Sequence, residues 1–495
     1  MTDGACPERV PDRRRLGILL HPSSLPGPFA EGDLGTEARR FVDTLAACGV
    51  TLWQVLPLTP SSDRSPYNGR SAHAGDPRLI SLSDLAEDGW VTPDELSRVQ
   101  ADAGSRTEVL DAASARFERQ ASASERAEFA AFCERNAYWL ADYALYETLK
   151  TAHGQAPWWQ WPKALRRREP SALAQSRARA GCDGVPFTQF LFFRQWQALR
   201  AYARERGVRF LGDMPLFLAA DSADVWAHAD LFTVSADGEP EIVTGVPPDY
   251  FSATGQRWGS PHYRWPRMGA DGFAWWRERV RSQVALCDWL RIDHFRGLEA
   301  AWAIPGASVT GAHGAWMPVP GGELLSALQA EFGELPFVAE DLGIVTEGVT
   351  ALRERFGLPG MRVLQFAFEG DADNVHLPHN YVPETVAYTG THDNDTTRGW
   401  YEALSPGVRA RVHDYLGAFT PDEGPWPMIR AVVASVARWA ILPWQDALAL
   451  PSGARMNTPG TTSGNWRFRF RWEDVPGDVP ARLRRLAELY GRLPP

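Results

Sequence analysis

The sequence predicts an α/β chain folded as a single (β/α)8 TIM barrel, enlarged by helical and loop insertions, on three observations. Eight short apolar segments of strand character recur along the 495 residues. Helical stretches separate most of them, which is the count of a closed parallel barrel. Four of the segments run into an acidic residue, and chemistry in such barrels sits at the carboxyl ends of the strands. No glycine-rich dinucleotide fingerprint follows the first strand, which counts against a doubly wound open sheet.

Taken in order, the first strand, Leu16–Leu20, passes through a Pro/Gly-rich loop to a helix over Thr36–Ala47 closed by Gly49. The second, Leu52–Leu56, runs into Pro57 and a loop dense in turn residues that includes Ser65-Pro66-Tyr67-Asn68. From about residue 84 to 197 the rhythm is lost. Helical spacing over Glu125–Lys150 and Phe187–Arg206 predicts a mostly helical insertion, whose Trp158, Trp159 and Trp161 are expected to pack internally. The third strand is Val208–Asp213. A second insertion, about 215–272, is rich in Gly, Pro and aromatics; it is too aromatic to be disordered and reads as a substrate-covering loop. The remaining strands are Asp288–Asp293, Phe337–Asp341, Met361–Phe368, Val386–Thr389 and Trp439–Trp444. The chain ends soon afterwards in a polar helix, so one catalytic barrel over 1–495 with no C-terminal β-sandwich is expected.

Bulk properties narrow the function. A net charge of −10 argues against a nucleic-acid binder, which must neutralise phosphates. No apolar run approaches the ~20 residues of a membrane span. The five cysteines have no close pairs, which fits reduced thiols in a cytoplasm and gives neither a disulfide frame nor a zinc site. The 21 Trp supply broad faces of the kind that stack on sugars, although most indoles pack internally.

The strand ends place Asp213, Asp293, Glu340 and Asp393 around one cavity. Mutual repulsion must then move some of their pKa values apart, the condition for a general acid and an ionised carboxylate to coexist. Arg291 lies two residues before Asp293, so on a strand both point to the same side, and the guanidinium favours the ionised carboxylate. Acid clusters also bind metals, but Arg291 would oppose a cation. A carboxylate pair acting on a glycosidic bond explains the aromatic loops as well.

Gly212-Asp213-Met214-Pro215, Arg291-Ile292-Asp293-His294, Ala339-Glu340-Asp341-Leu342-Gly343 and Thr391-His392-Asp393 resemble the four conserved regions of the α-amylase superfamily. Pro247–Tyr263, Tyr388–Thr397 and Met456–Thr461 are similar to one branch of it, the 4-α-glucanotransferases of glycoside hydrolase family 77. The resemblance spans Leu16 to about Trp472. It implies Asp293 as nucleophile, Glu340 as general acid/base and Asp393 as the stabiliser that distorts and holds the sugar. Arg291 would orient Asp293, and Asp213, His294 and His392 would bind hydroxyls of the glucose beside the cut. Asp249, Tyr250 and Trp258 would cover the bound glucan. Spacing does not separate Glu340 from Asp341, or Asp393 from Asp395; the family match selects Glu340 and Asp393.

The implied substrates are α-1,4-glucans and malto-oligosaccharides as donor and acceptor, with no metal, cofactor, nucleic acid or membrane partner. The implied reaction is a retaining transfer to the 4-hydroxyl of another glucan, with the two catalytic carboxyls about 5–5.5 Å apart. A hydrolase with the same residues is the alternative chemistry, and a glucan-binding barrel without catalysis the alternative class. The Thr59–Arg70 loop departs from the family's usual wording.

Overall fold

All eight expected strand positions are strands, and they close on themselves. The computed structural model describes residues 13–180, 184–248 and 253–494. Among them the strands are β1 (Arg15–Leu19), β2 (Leu52–Gln54), β3 (Arg209–Pro215), β4 (Ile242–Val246), β5 (Gln256–Pro261), β6 (Trp289–Asp293), β7 (Ala300–Pro305), β8 (Ala315–Pro318), β9 (Phe337–Ala339), β10 (Gly360–Val363), β11 (Thr385–Tyr388) and β12 (Trp439–Pro443). The closed barrel runs β1-β2-β3-β6-β9-β10-β11-β12 and back to β1, every pair parallel. No strand among the described residues follows β12, and the last helix is Val479–Leu489.

The barrel strands are apolar on both faces because both are covered. Leu19, Leu52, Leu211, Trp289, Val338, Met361, Val386 and Trp439 belong to one buried cluster that fills the interior. Their chain neighbours Ile18, Trp53, Phe210, Leu290, Phe337 and Ala440 belong to the larger cluster packed against the helices. Side chains alternate along a strand, so this parity decides what faces the cavity. Trp289 is inside, hence Arg291 and Asp293 are; Leu211 carries Asp213 inward; Val338 carries Glu340 inward and leaves Asp341 pointing out. Trp289 meets Trp439 edge-on at 4.9 Å between centroids, and Arg15 lies over the Trp289 ring, so this first layer closes the amino end.

Two segments differ from the sequence expectation. β10 stops at Val363 and gives way to a short turn over Leu364–Phe366, because its pairing with β11 ends at Tyr388. The helix expected over Glu125–Lys150 is two helices, Ala123–Arg135 and Ala137–Ala152. At the break Asn136 donates to the Phe132 carbonyl and accepts from the Trp139 indole. Trp158 and Trp161 are buried, and Trp161 packs on Tyr146 and Trp226. No helix among the described residues is long and apolar enough to cross a membrane.

A second sheet was not anticipated. Four antiparallel strands in the order β5-β4-β7-β8 stand over the barrel's carboxyl end. Two of them come from the segment after β3 and two from the segment after β6. Trp258 lies in β5, and β7 begins seven residues after Asp293, so this sheet forms one wall above the strand ends.

Candidate active site

Arg291 is the hub of the cavity floor. Its Nη1 donates to both carboxylate oxygens of Asp213, at 2.7 and 2.8 Å, and its Nη2 pairs with Asp293 Oδ1 at 2.9 Å. Burial opposes its charge, but Asp213 and Asp293 hold it ionised well above the ordinary guanidinium range. Asp213 is fully enclosed and also accepts from the Tyr67 hydroxyl at 2.7 Å. The Asp293 side chain is 30% exposed, so one carboxylate end is braced while the other faces the opening.

Glu340 sits one strand along, directly after β9. Its Oε2 accepts from the His294 backbone N–H at 2.7 Å and its Oε1 from the Leu342 N–H at 3.1 Å. Burial drives its carboxyl up from the usual range to about 8, assisted by the Asp293 charge, against Arg291 and the two N–H donors. At neutral pH it therefore carries a proton. Asp341 braces the barrel wall instead, accepting from the Met361 N–H and pairing with Arg362 and Arg353 on the outer side.

Asp393 lies beyond β11 on a polar turn, at the rim, with its side chain half exposed. Loss of water around it opposes ionisation, but His392 at 3.4 Å and Asn457, whose Nδ2 donates to Oδ1 at 2.6 Å, hold it well below the usual carboxylate range. The neighbouring Asp395 instead binds Ser452 and faces Arg455. His392 is buried; its ring stacks on Tyr67 with centroids 5.0 Å apart, and Trp466 borders both.

The turn carrying Asp393 is clamped from beneath. Asp446, in the short helix Trp444–Ala447 that follows β12, is buried and accepts from Thr389 Oγ1 at 2.6 Å and from the N–H and hydroxyl of Thr397 at 2.7 and 2.6 Å. Both ends of the segment Thr389–Thr397 thus share one carboxylate.

His294 adopts a left-handed conformation at φ 54°, which aims its N–H at Glu340. Burial pushes its imidazole down to about 4, leaving it neutral, and its Nε2 has no protein partner. Trp258 meets this ring edge-on at 4.8 Å and is 41% exposed, an indole face open to the cleft. The structure therefore brings together Asp213, Arg291, Asp293, His294, Glu340, His392, Asp393 and Trp258. Asp249 and Tyr250 lie outside the described residues. Sequence reasoning missed Tyr67 and Asn457 as individual site residues: both fall in segments it had singled out, but hydroxyls and amides in polar loops carry no periodicity to mark them.

The 4-alpha-glucanotransferase model of glycoside hydrolase family 77 matches residues 20–474. The chain belongs to that family. It is 48% identical over 496 residues to a 4-alpha-glucanotransferase of Thermus thermophilus, covering 97% of this chain and 99% of the relative. It is 41% identical to a chloroplastic/amyloplastic 4-alpha-glucanotransferase of Solanum tuberosum, covering 98% of this chain and 88% of the relative. Among solved structures, the amylomaltase of Streptococcus agalactiae in complex with acarbose superposes with a TM-score of 0.94 at 35% identity, over 97% of this chain and all of that one. The family 77 match covers every strand of the barrel from β2 to β12 and both segments that build the second sheet.

Proposed function

We propose that the chain is a retaining 4-α-glucanotransferase acting on α-1,4-glucans and malto-oligosaccharides as both donor and acceptor. The observation that carries this reading is the split between two neighbouring carboxyls. Asp293 is braced by a guanidinium, while Glu340, one strand away, is held protonated at neutral pH. Asp293 attacks the anomeric carbon while Glu340 protonates the departing 4-oxygen, giving a covalent glycosyl-enzyme. Once Asp293 is esterified its charge is gone, the push on Glu340's pKa relaxes, and Glu340 takes the proton of the incoming 4-hydroxyl.

Arg291 orients Asp293 and neutralises Asp213. Asp213, His294, His392 and Asp393 bind hydroxyls of the glucose at the cut; Asp393, kept ionised, also supports positive charge developing on the ring. Trp258, and on the family match Asp249 and Tyr250, cover the glucan and hold the acceptor, which lets a sugar compete with far more abundant water.

We assign residues about 84–197 to a helical subdomain and about 215–272 to the covering segment. A cytoplasmic location fits the described cysteines, Cys48, Cys133 and Cys287, all free thiols.

Incubation with maltotriose tests the activity. Glucose together with oligosaccharides longer than maltotriose is the expected product set. Shorter sugars and new reducing ends alone would establish the hydrolase instead.

A further inference from the structure

Asp446 is a carboxylate buried without a counter-charge: no Arg or Lys pairs with it among the described residues, and its side chain does not open to the cleft. Its three donors all belong to the two ends of the turn that carries His392 and Asp393. Burial pushes its carboxyl up against the pull of those bonds, and the Asp395 charge adds to the push. Taking a carboxylate out of water is costly, and an apolar side chain of similar volume serves packing better. Packing alone therefore gives no reason for an acid at this position.

Geometry does give a reason. Between its ends the turn is stiff: Asn394 Oδ1 accepts from the Thr391 N–H at 2.8 Å and from the Thr391 hydroxyl at 2.9 Å. The Asp393 N–H reaches that same hydroxyl at 3.3 Å. From the side, Gln365, two residues past β10, donates to the Asp395 carbonyl at 2.9 Å. From above, Arg455 donates to the Asp393 carbonyl at 3.0 Å. A stiff turn fastened at both ends to one carboxylate cannot tilt without stretching the bonds to Asp446, and bonds to an ionised acceptor are the short, directional ones.

We propose that Asp446 is a positioning residue for the reaction: through Thr389 and Thr397 it sets the place of Asp393 relative to Asp293 and Glu340, without touching the sugar. The proposal rests on the reading of Asp393 as the carboxylate that supports charge developing on the ring. It holds for transfer and for hydrolysis alike, because both pass through the same attack by Asp293. A charge acting on a transition state must be held closely, and a misplacement of about 1 Å costs about a hundredfold in rate.

The test uses the full chain. Thr389→Val removes one of the three bonds at nearly constant volume, and Thr389→Ser keeps the hydroxyl. In Thr389→Val, kcat for maltotriose is expected to fall about ten- to a hundredfold with KM within about twofold, and Thr389→Ser to return kcat to within about threefold of wild type. Asp446→Asn, with one acceptor oxygen where the carboxylate uses two, is expected to lose as much. A second arm repeats Thr389→Val in an Asp393→Asn background, with α-maltotriosyl fluoride as a donor whose fluoride departs without needing a proton from Glu340. With the Asp393 charge gone there is little left to position, so the added substitution should cost less than about threefold. An unchanged kcat in Thr389→Val, a loss carried by KM, no recovery in Thr389→Ser, or an equally large fall in the Asp393→Asn background would each overturn the proposal. If Asp446→Asn does not fold, the Thr389 variants decide alone. Wild-type protein that makes no longer oligosaccharides from maltotriose would overturn the transfer reading instead, and release of fluoride still reads the role of Asp446 independently.

Discussion

Replacing Asp293 by Asn removes more than a nucleophile: it also changes the proton affinity of Glu340. In a retaining pair the two carboxyls stand about 5–5.5 Å apart. At an effective dielectric constant of about 20, a full charge at that distance is worth about 3 kcal/mol to its neighbour, or about two pH units. Asp293 acts to raise Glu340, which titrates near 8 with the charge present. In Asp293→Asn the midpoint should therefore fall by about two pH units, and Arg291, freed of one partner, pulls in the same direction. The neutral amide stands in for the esterified carboxyl of the intermediate, so the same fall measures how far Glu340 moves from acid to base within a turnover. Carboxyl-labelled glutamate followed by NMR across the pH range reads it, with Glu340→Gln identifying the resonance. A midpoint that stays near 8 or rises would refute the electrostatic coupling and the assignment of Asp293 as the neighbouring charge.

Four further outcomes follow from the same geometry. Because Glu340's folded pKa lies above its ordinary value of 4.5, it contributes stability that is present below about 4.5 and lost as pH climbs to about 8; melting temperature across that window should fall less steeply in Glu340→Gln. Asn457→Ala removes a hydrogen bond to a charged carboxylate of about 1.5–3 kcal/mol, so kcat should drop about tenfold to a hundredfold in steady-state assays while the melting temperature holds. Trp258→Ala should raise the ratio of hydrolysis to transfer, read by chromatography as new reducing ends against longer oligosaccharides; an unchanged ratio would rule out acceptor control by this indole. Among the described residues no group of three or more His, Cys, Asp or Glu is disposed to hold a metal ion, and dialysis against EDTA should leave the maltotriose rate intact.

The barrel was legible because its signal is repetition: eight apolar runs keep their order whatever fills the spaces between them. The acidic ends were legible for the same reason. Parity was not. Phe337-Val338-Ala339 is apolar throughout because helices cover one face and packed side chains the other, so no alternation tells which neighbour of the Glu340–Asp341 pair looks inward. Only the placement of Val338 in the interior settles it. Asn136 breaks a helix that periodicity reads as continuous, since one side-chain hydrogen bond to the backbone outweighs a weak helical preference. Tyr67 and Asn457 come from segments 390 residues apart, and nothing local to either reports that they meet His392 and Asp393 on the same rim.

The sheet β5-β4-β7-β8 has a bearing on engineering. Its four strands arise from two separate excursions of the chain, joined where Ile242–Gly245 pairs with Trp302–Pro305. Exchanging only the first excursion with a homologue's would leave β7 facing a foreign partner, and the seam rather than the catalytic floor would give way. Grafts that aim to change how the wall grips a glucan should carry both excursions as a matched set, and the barrel strands beneath can stay untouched.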